Sequence, residues 1–433
     1  MTKNPARLRR CQFHRLWTNP DLRPFVRHVG LDSATRLEST SGPRPDLIRG
    51  GVDENRTYLS VAVMNHLGMD LTDVSPPIPS SMAQWCRESA VPLFLLLSMA
   101  PNVKSVRMYM HCGWEVDHGL VQRLPDGTFA PKVVFPNLTS LRLWSYSWIE
   151  TSVPERCKCR DAIACFLVTV PNLTSLELSG FGALEDRLPL PPRLTSFALI
   201  DTYYVSGSDL EAMTRQVPQL KRFYVLRENR RRIDPSPAFF STHFLDILSR
   251  SNVAGTLVTL GLCGSRLDIA SVDMGRFQCL KVLGVKCATN PWPGSNLLIK
   301  LIKECNLLRS LMLDGADTIP REEMVLFAQA ISQSACPTLR QVLLNVRDVR
   351  QIRRPAGVPT PHPGRLRYRA VARLRDITSE PVPDLFARGN VELFLHDGRN
   401  KGMVNWFTAM EAESHLCSIF DIYGFRYFMQ FCY

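Results

Sequence analysis

The chain has 433 residues, of which 45% are hydrophobic and 21% are charged, enough apolar material to bury a full core. Its net charge of +12 favours acidic partners, but the lysines and arginines are spread along the chain, so charge alone does not indicate a nucleic-acid binder. The 13 cysteines, an odd number without regular framework spacing, fit a reducing compartment, the cytoplasm or the nucleus, better than a disulfide scaffold.

The chain begins with a basic segment, Met1 to Arg15, which is interrupted by Pro5 and lacks the apolar run of a signal peptide. The longest apolar stretches are residues 91–100 and 162–170. Each is about half of the roughly 20 residues that a helix needs to cross a bilayer. We therefore expect no secretory leader and no contact with a membrane.

One short sequence pattern, which we call the phrase, recurs along the chain. It is clearest at residues 135–143 and 170–178, where the letters Pro-Asn-Leu-Thr-Ser-Leu recur. The steps between copies run from 21 residues (173 to 194) to 37 residues (220 to 257), a range typical of leucine-rich repeats with variable outer segments. The first apolar residue of each of the nine copies stands at 103, 138, 173, 194, 220, 257, 280, 308 and 339.

The spacing within each copy predicts a strand. If i is the first apolar residue, the apolar residues at i+3 and i+5 alternate and face the core, while the residues between them face outward. Proline two residues before i ends the preceding helix. Helical spacing appears between copies at 161–170 and 322–332.

Each unit is therefore a strand followed by a helix, with the strands parallel. This predicts an α/β leucine-rich-repeat solenoid, with a curved parallel sheet on the concave face and helices on the convex face. The alternative is an ordinary α/β protein in which these spacings arise by chance. A propeller or an all-helical solenoid fits less well.

The outward strand positions form a candidate protein-binding surface. The first copies place arginines beside aromatic residues, both of which are enriched at interface hot spots, whereas later copies offer small or apolar residues such as Gly261, Gly284, Met312 and Leu343. The alternative is that these side chains only stack on their neighbours or lie beneath a loop. The candidate binding residues are Arg107, Tyr109, Arg142, Trp144, Glu177, Arg222 and Tyr224.

Other motifs give weaker evidence of a function. Cys157, Cys159 and Cys165 lack the companion pair that a structural zinc site needs, so we expect thiols and no metal. The sequence contains no Gly-x-Ser-x-Gly, His-Glu-x-x-His or phosphate-binding glycine loop, so we expect neither an enzyme nor a cofactor.

Two segments follow the main run of copies. Residues 347–375 hold nine arginines among four prolines, which indicates either a solvated insertion or an arm for phosphate or nuclear import. The aromatic tail, 418–433, could cap the exposed edge of the last repeat or bind a partner. The predicted organisation is an N-terminal cap over 1–25, repeats over 26–345, an Arg/Pro-rich insertion over 346–379, and a final repeat with its cap over 380–433.

The opening segment Leu8 to Leu31 resembles the region just after the F-box in fungal F-box proteins with leucine-rich repeats. In that family a stretch like Phe13 to Leu16 leads into a first strand, formed here by Val26, Val29 and Leu31. The resemblance implies the target-recognition part of a ubiquitin ligase substrate receptor. The F-box itself should stand before Arg7, which only six residues precede, so a Skp-type adaptor is expected only if an F-box is supplied upstream.

Two other functions stay open at this point. The chain could be a stand-alone interaction scaffold or inhibitor without a link to a ligase. It could also be an RNA-associated protein with a basic, aromatic face, whose binding would weaken steeply with salt. The sequence favours a protein target on the concave face over nucleic acid.

Overall fold

The computed structural model of the chain divides into two compact units, Met1–Leu194 and Thr195–Tyr433. We call them the N-terminal and C-terminal units and describe each by itself. Helix side chains from 153 to 160 are not described. The structure describes residues 19–31, 97, 99–109, 121–125, 128–144, 153–181, 188–200, 205, 207–226, 244–262, 272–286, 297–345 and 373–396.

The N-terminal unit contains a short parallel sheet. Its strands pair in the order β1, β2, β5, β6, and a separate antiparallel hairpin joins β3 to β4. The sequence did not predict the hairpin, because it lies between two copies of the phrase. The elements are a 3₁₀ helix Pro20–Phe25, β1 His28–Leu31, β2 Ser105–Tyr109, β3 Val121–Arg123, β4 Phe129–Pro131, β5 Ser140–Trp144, helix α1 Val153–Val168 and β6 Ser175–Ser179.

The C-terminal unit contains a longer parallel sheet in which β7 to β13 pair in chain order. Two 3₁₀ helices, Met274–Arg276 and Ala316–Thr318, complete the described connections. Its strands and helices are β7 Ser196–Ile200, α2 Gly207–Gln216, β8 Arg222–Leu226, α3 Phe244–Arg250, β9 Thr259–Leu262, β10 Val282–Lys286, α4 Leu297–Glu304, β11 Ser310–Asp314, α5 Arg321–Ser332, β12 Gln341–Asn345, α6 Val382–Arg388 and β13 Glu392–His396.

The predicted strand register is confirmed in both units. Every one of the nine copies forms a strand that begins two residues after its first apolar residue, from Ser105 for the copy at 103 to Gln341 for the copy at 339. The residues at i+3 and i+5 are buried throughout: Val106, Leu141 and Leu176 are all at most 1% exposed. We call the side that they face the core face of the sheet, and the other side the opposite face.

Polar side chains of the phrase form hydrogen bonds to the segment that precedes each copy. Lateral side-chain bonds of this kind satisfy backbone carbonyls at the point where each strand begins. The recurring asparagine is therefore structural. It donates to a proline carbonyl of the preceding segment, as Asn102 does to Pro24 (3.0 Å), Asn137 to Pro101 (2.9 Å) and Asn172 to Pro136 (2.9 Å).

Helices and aromatic residues complete the core. Helical spacing predicted helices at 161–170 and 322–332, and α1 and α5 are found there, α1 beginning earlier and ending at Val168. Phe327 of α5 and Phe386 of α6 are fully buried with ring centroids 5.8 Å apart. Burial of such rings contributes several kcal/mol each, on the order of 3 or more, so these helices are held by packing.

Several predicted segments fall partly or wholly outside the described residues. They include residues 1–18 of the N-terminal cap, 346–372 of the Arg/Pro-rich insertion and the tail from 397 onward. The last predicted strand, near Leu393, is present as β13. No helix within the described ranges is long and apolar enough to cross a membrane.

Candidate functional site

Three predicted binding residues lie at equivalent points of neighbouring strands in the N-terminal unit. Arg107 of β2 pairs in register with Arg142 of β5, which pairs with Glu177 of β6. All three alternate with buried valine, methionine or leucine residues, so their side chains lie on the opposite face. Trp144 is two residues further along β5 on that same face.

These side chains contact one another. The guanidinium carbon of Arg107 lies 3.9 Å from the centroid of the Trp144 ring, a cation–π contact. The Trp144 indole Nε1 donates to Glu177 Oε1 at 3.3 Å, and Arg142 Nε lies 3.4 Å from Glu177 Oε2. We call Arg107, Arg142, Trp144 and Glu177 the Arg–Trp cluster.

Exposure within the Arg–Trp cluster is uneven. The Arg142 side chain is 46% exposed, whereas that of Glu177 is 12% exposed. Glu177 is therefore largely buried, whereas Arg142 stays open to solvent. Two cations and one carboxylate leave the cluster with one net positive charge, so it presents a cation beside an aromatic ring.

The other predicted site residues fall in three different situations. Tyr109 pairs in register with Trp144, and its side chain lies outside the described residues. Arg222 and Tyr224 are on β8 of the C-terminal unit, whereas the Arg–Trp cluster is built from strands of the N-terminal unit. Tyr224 is only 5% exposed, which departs from the expected accessible side chain because it packs within a buried apolar group.

That apolar group occupies the opposite face of the C-terminal unit. On each neighbouring strand, the residue in register with Tyr224 also lies on this face. These are positions where the sequence predicted small or apolar outward residues. Ile200, 5% exposed, and Val282, 3% exposed, flank it. We call it the apolar row, and in strand order it consists of Ala198, Tyr224, Gly261, Gly284, Met312, Leu343 and Phe394.

Polar pairs stand at both ends of the strands that carry the apolar row. Asn345 Nδ2 donates to Asp314 Oδ1 at 2.8 Å, and both residues are buried. At the other end, Ser310 Oγ donates to Gln341 Oε1 at 3.4 Å. Sequence reasoning missed the Asp314–Asn345 pair. The available signal was that two neighbouring copies both end in a short polar residue.

Three of the four described free thiols are buried, and Cys279 is exposed. Cys165, Cys305 and Cys336 are buried and free. Burial, with smaller contributions from Cys336 and Glu304, raises the pKa of Cys305 to about 12, so this thiol stays protonated at neutral pH. The side chains of Cys157 and Cys159 lie outside the described residues. Within the described part of the chain, no group of three or more His, Cys, Asp or Glu residues could hold a metal ion.

The comparisons with known proteins do not place the chain in a family. A scan against protein-family models gave no match, and a search of the curated proteins gave none either. A function is therefore inferred from the strand geometry and from the side chains on the opposite face of each unit.

Proposed function

We propose that this chain is a leucine-rich-repeat protein that binds a protein partner through the Arg–Trp cluster. The repeat assignment is supported by one strand phrase returning nine times in a parallel arrangement with helices between strands. In such a solenoid the opposite face is the concave face, where partners dock. The contacts within the Arg–Trp cluster support the binding of a protein partner.

The chemistry of the cluster favours an acidic segment of the partner. Trp144 offers a flat ring whose position is fixed by Arg107 on its face and Glu177 at its nitrogen. Arg142 is held at Nε by Glu177, so its guanidinium is oriented before a ligand arrives. A pre-oriented guanidinium binds carboxylate or phosphate with two parallel hydrogen bonds and loses little entropy in doing so.

The proposed role of this binding is target recognition in an F-box-type ubiquitin ligase receptor. That role is supported by the resemblance of residues 8–31 to the region just after the F-box in fungal F-box proteins with leucine-rich repeats. Association with a Skp-type adaptor belongs to the F-box and not to the repeats. The Arg–Trp cluster would therefore select the target whether or not the ligase subunits are attached.

Two experiments test partner binding by the cluster and the link to a ligase separately. Titration of the 433-residue chain with acidic and basic peptides of equal length tests the cluster. We expect the acidic peptides to bind and this binding to be lost in Arg142→Glu. Affinity capture scored for Skp and cullin subunits tests the ligase link. Acidic-peptide binding without these subunits would favour the stand-alone scaffold, and preference for basic peptides would overturn the proposal.

A further inference from the structure

A series of basic residues lies where the strands of the C-terminal unit begin. Each of them directly follows the first apolar residue of a copy, and its backbone N–H donates to the carbonyl of the residue at the same position of the preceding copy. These bonds place the residues side by side ahead of β8, β10, β11 and β12, with Val258 at the same position ahead of β9. We call the four cations the basic row: Lys221, Lys281, Arg309 and Arg340.

The strand does not require a cation at this position. In the N-terminal unit the same position carries threonine: Thr139 Oγ1 donates to the carbonyl of Lys104 at 3.2 Å, and Thr174 Oγ1 donates to that of Thr139 at 3.0 Å. A threonine here adds a bond to the preceding copy. Within the described part of the chain, the side chains of Lys221 and Lys281 make no such bond. The charges of the basic row are therefore not needed to build the sheet.

Neighbouring carboxylates do not neutralise the basic row. Glu304 precedes Arg309 in the chain, but it lies 3.8 Å from Lys300 Nζ and accepts from the backbone N–H of Met274 at 3.0 Å. Glu392 follows the end of the basic row and occupies a strand position of the opposite face. The salt bridges in the described part of the C-terminal unit involve other cations, Arg215, Arg250, Lys300 and Arg321.

The basic row is accessible, and an apolar side chain lies beside it. Three of its members are exposed, and Lys281 is half-buried. Arg340 Nη1 donates to the carbonyl oxygens of Pro337 at 2.8 Å and Leu339 at 3.0 Å, which orients the guanidinium. Leu307, two residues before the third member, is 45% exposed. A partner of the basic row therefore meets several cations and an aliphatic side chain together.

We propose that the basic row binds an acidic amphipathic α-helix of a partner protein, laid along the row. Neighbouring strands are roughly 4.8 Å apart, so Lys281, Arg309 and Arg340 follow one another at that step and the four steps from Lys221 span about 19 Å. A helix with acidic residues at i, i+4, i+7 and i+11 presents one carboxylate per turn, at steps of about 5.4 Å. An extended segment presents side chains of one face at about 6.8 Å and loses register with the cations.

Nucleic acid fits the basic row less well. Proteins that bind single strands combine cations with aromatic side chains on which the bases stack. The two residues before the first apolar residue of each copy flank the basic row, and between 218 and 338 none of them is aromatic. Examples are Gln278, Cys279, Asn306 and Leu307. Polar and aliphatic flanks of this kind suit the side of an amphipathic helix.

Titration of the 433-residue chain with two peptides of about four helical turns tests the proposal. One peptide is stapled as a helix with glutamates at i, i+4, i+7 and i+11, and the other has the same number of glutamates at alternate positions and stays extended. We expect the helical peptide to bind about tenfold more tightly or better. Lys281→Glu with Arg309→Glu should weaken the helical peptide by about tenfold or more. The matched control, Arg373→Glu with Arg375→Glu, removes the same charge from exposed positions outside the basic row and should keep the parent Kd.

A second measurement needs no substitution and so does not depend on the variants folding. Cys279 is exposed and lies two residues before Lys281. Alkylation of the parent chain, mapped by mass spectrometry, reports whether a ligand covers this thiol. We expect the helical peptide to slow alkylation of Cys279 several-fold and the extended peptide to leave it unchanged. An unprotected Cys279 under saturating helical peptide would overturn the proposal.

The remaining outcomes separate the basic row from the Arg–Trp cluster and from other ligands. Parent-like binding of the helical peptide by Arg142→Glu supports a second surface, whatever the Arg–Trp cluster itself binds. Loss of that binding in Arg142→Glu would place the helix on the cluster instead. Equal affinity for the two peptides, or an equal loss in the Arg373 and Arg375 control, would reduce the effect to net charge. Displacement of the helical peptide by lower concentrations of single-stranded RNA would assign the basic row to nucleic acid.

Discussion

The two units of this chain use the same strand phrase and carry different chemistry on the face opposite the core. In the N-terminal unit that face holds the Arg–Trp cluster, in which Arg142 is 46% exposed. In the C-terminal unit the corresponding strand positions form the apolar row, in which Met312 is 2% exposed. The core face is alike in both: Leu176 and Leu311 are each at most 1% exposed.

The comparison shows which positions the fold constrains. Residues at i+3 and i+5 must be apolar for the sheet to pack, whichever unit they are in. The positions between them carry no such requirement and are open to binding or to an internal cover. Substitutions on the core face should therefore act alike in the two units, and substitutions on the opposite face should not.

The largest expected effect is on the core face. Leu176→Ala and Leu311→Ala should each lower the free energy of unfolding by about 2 to 5 kcal/mol, because each removes buried methyl groups and leaves a cavity. Glu177→Ala, next to Leu176 on the opposite face, should cost under about 1 kcal/mol. Chemical denaturation measures all three. Equal losses for Leu176→Ala and Glu177→Ala would contradict the strand register.

The next effect concerns binding through the Arg–Trp cluster. Trp144→Ala and Arg142→Glu should each weaken an acidic partner by about 2 kcal/mol, roughly 30-fold in Kd, while the chain stays folded. The matched charge reversal Arg160→Glu, on helix α1, should leave the affinity unchanged. Titration at physiological salt measures the affinities. Parent-like binding by both cluster variants would mean that the partner binds elsewhere.

A smaller effect is expected at the polar ends of the C-terminal strands. Asn345→Ala removes the 2.8 Å bond to the buried Asp314 carboxylate and should cost about 1 to 2 kcal/mol of stability. Gln341→Ala, on the same strand, removes only a 3.4 Å contact with Ser310 and should cost less. A thermal melt of each variant decides the order. The reverse order would show that the Asp314–Asn345 pair does not hold this end of the sheet.

The sequence could predict the strands but not what covers them. Leucine spacing placed each of the nine parallel strands that follow a copy of the phrase, from Ser105 to Gln341, because period-two burial is a local property of the chain. It also placed Arg107, Arg142 and Glu177 side by side, since parallel register follows from equivalent repeat positions. It could not predict the burial of Tyr224, which depends on atoms distant in sequence. The β3–β4 hairpin was missed because it lies between copies and carries no repeat signal.

The smallest expected effect concerns the net charge of the Arg–Trp cluster and its affinity for an acidic peptide. Glu177→Gln keeps an oxygen that can accept from Trp144 Nε1 but removes the negative charge beside Arg142. Stability should change by less than about 1 kcal/mol, because the ion pair reaches solvent through Arg142. The cluster would then carry two net positive charges, so an acidic peptide should bind a few-fold more tightly at low salt, and less of this gain should remain as salt is raised. Glu211→Gln on α2 removes the same charge from an exposed ion pair with Arg215 and serves as the control. Titrations at two salt concentrations measure both variants, and an equal gain in the two would mean that net charge, and not the Arg–Trp cluster, attracts the peptide.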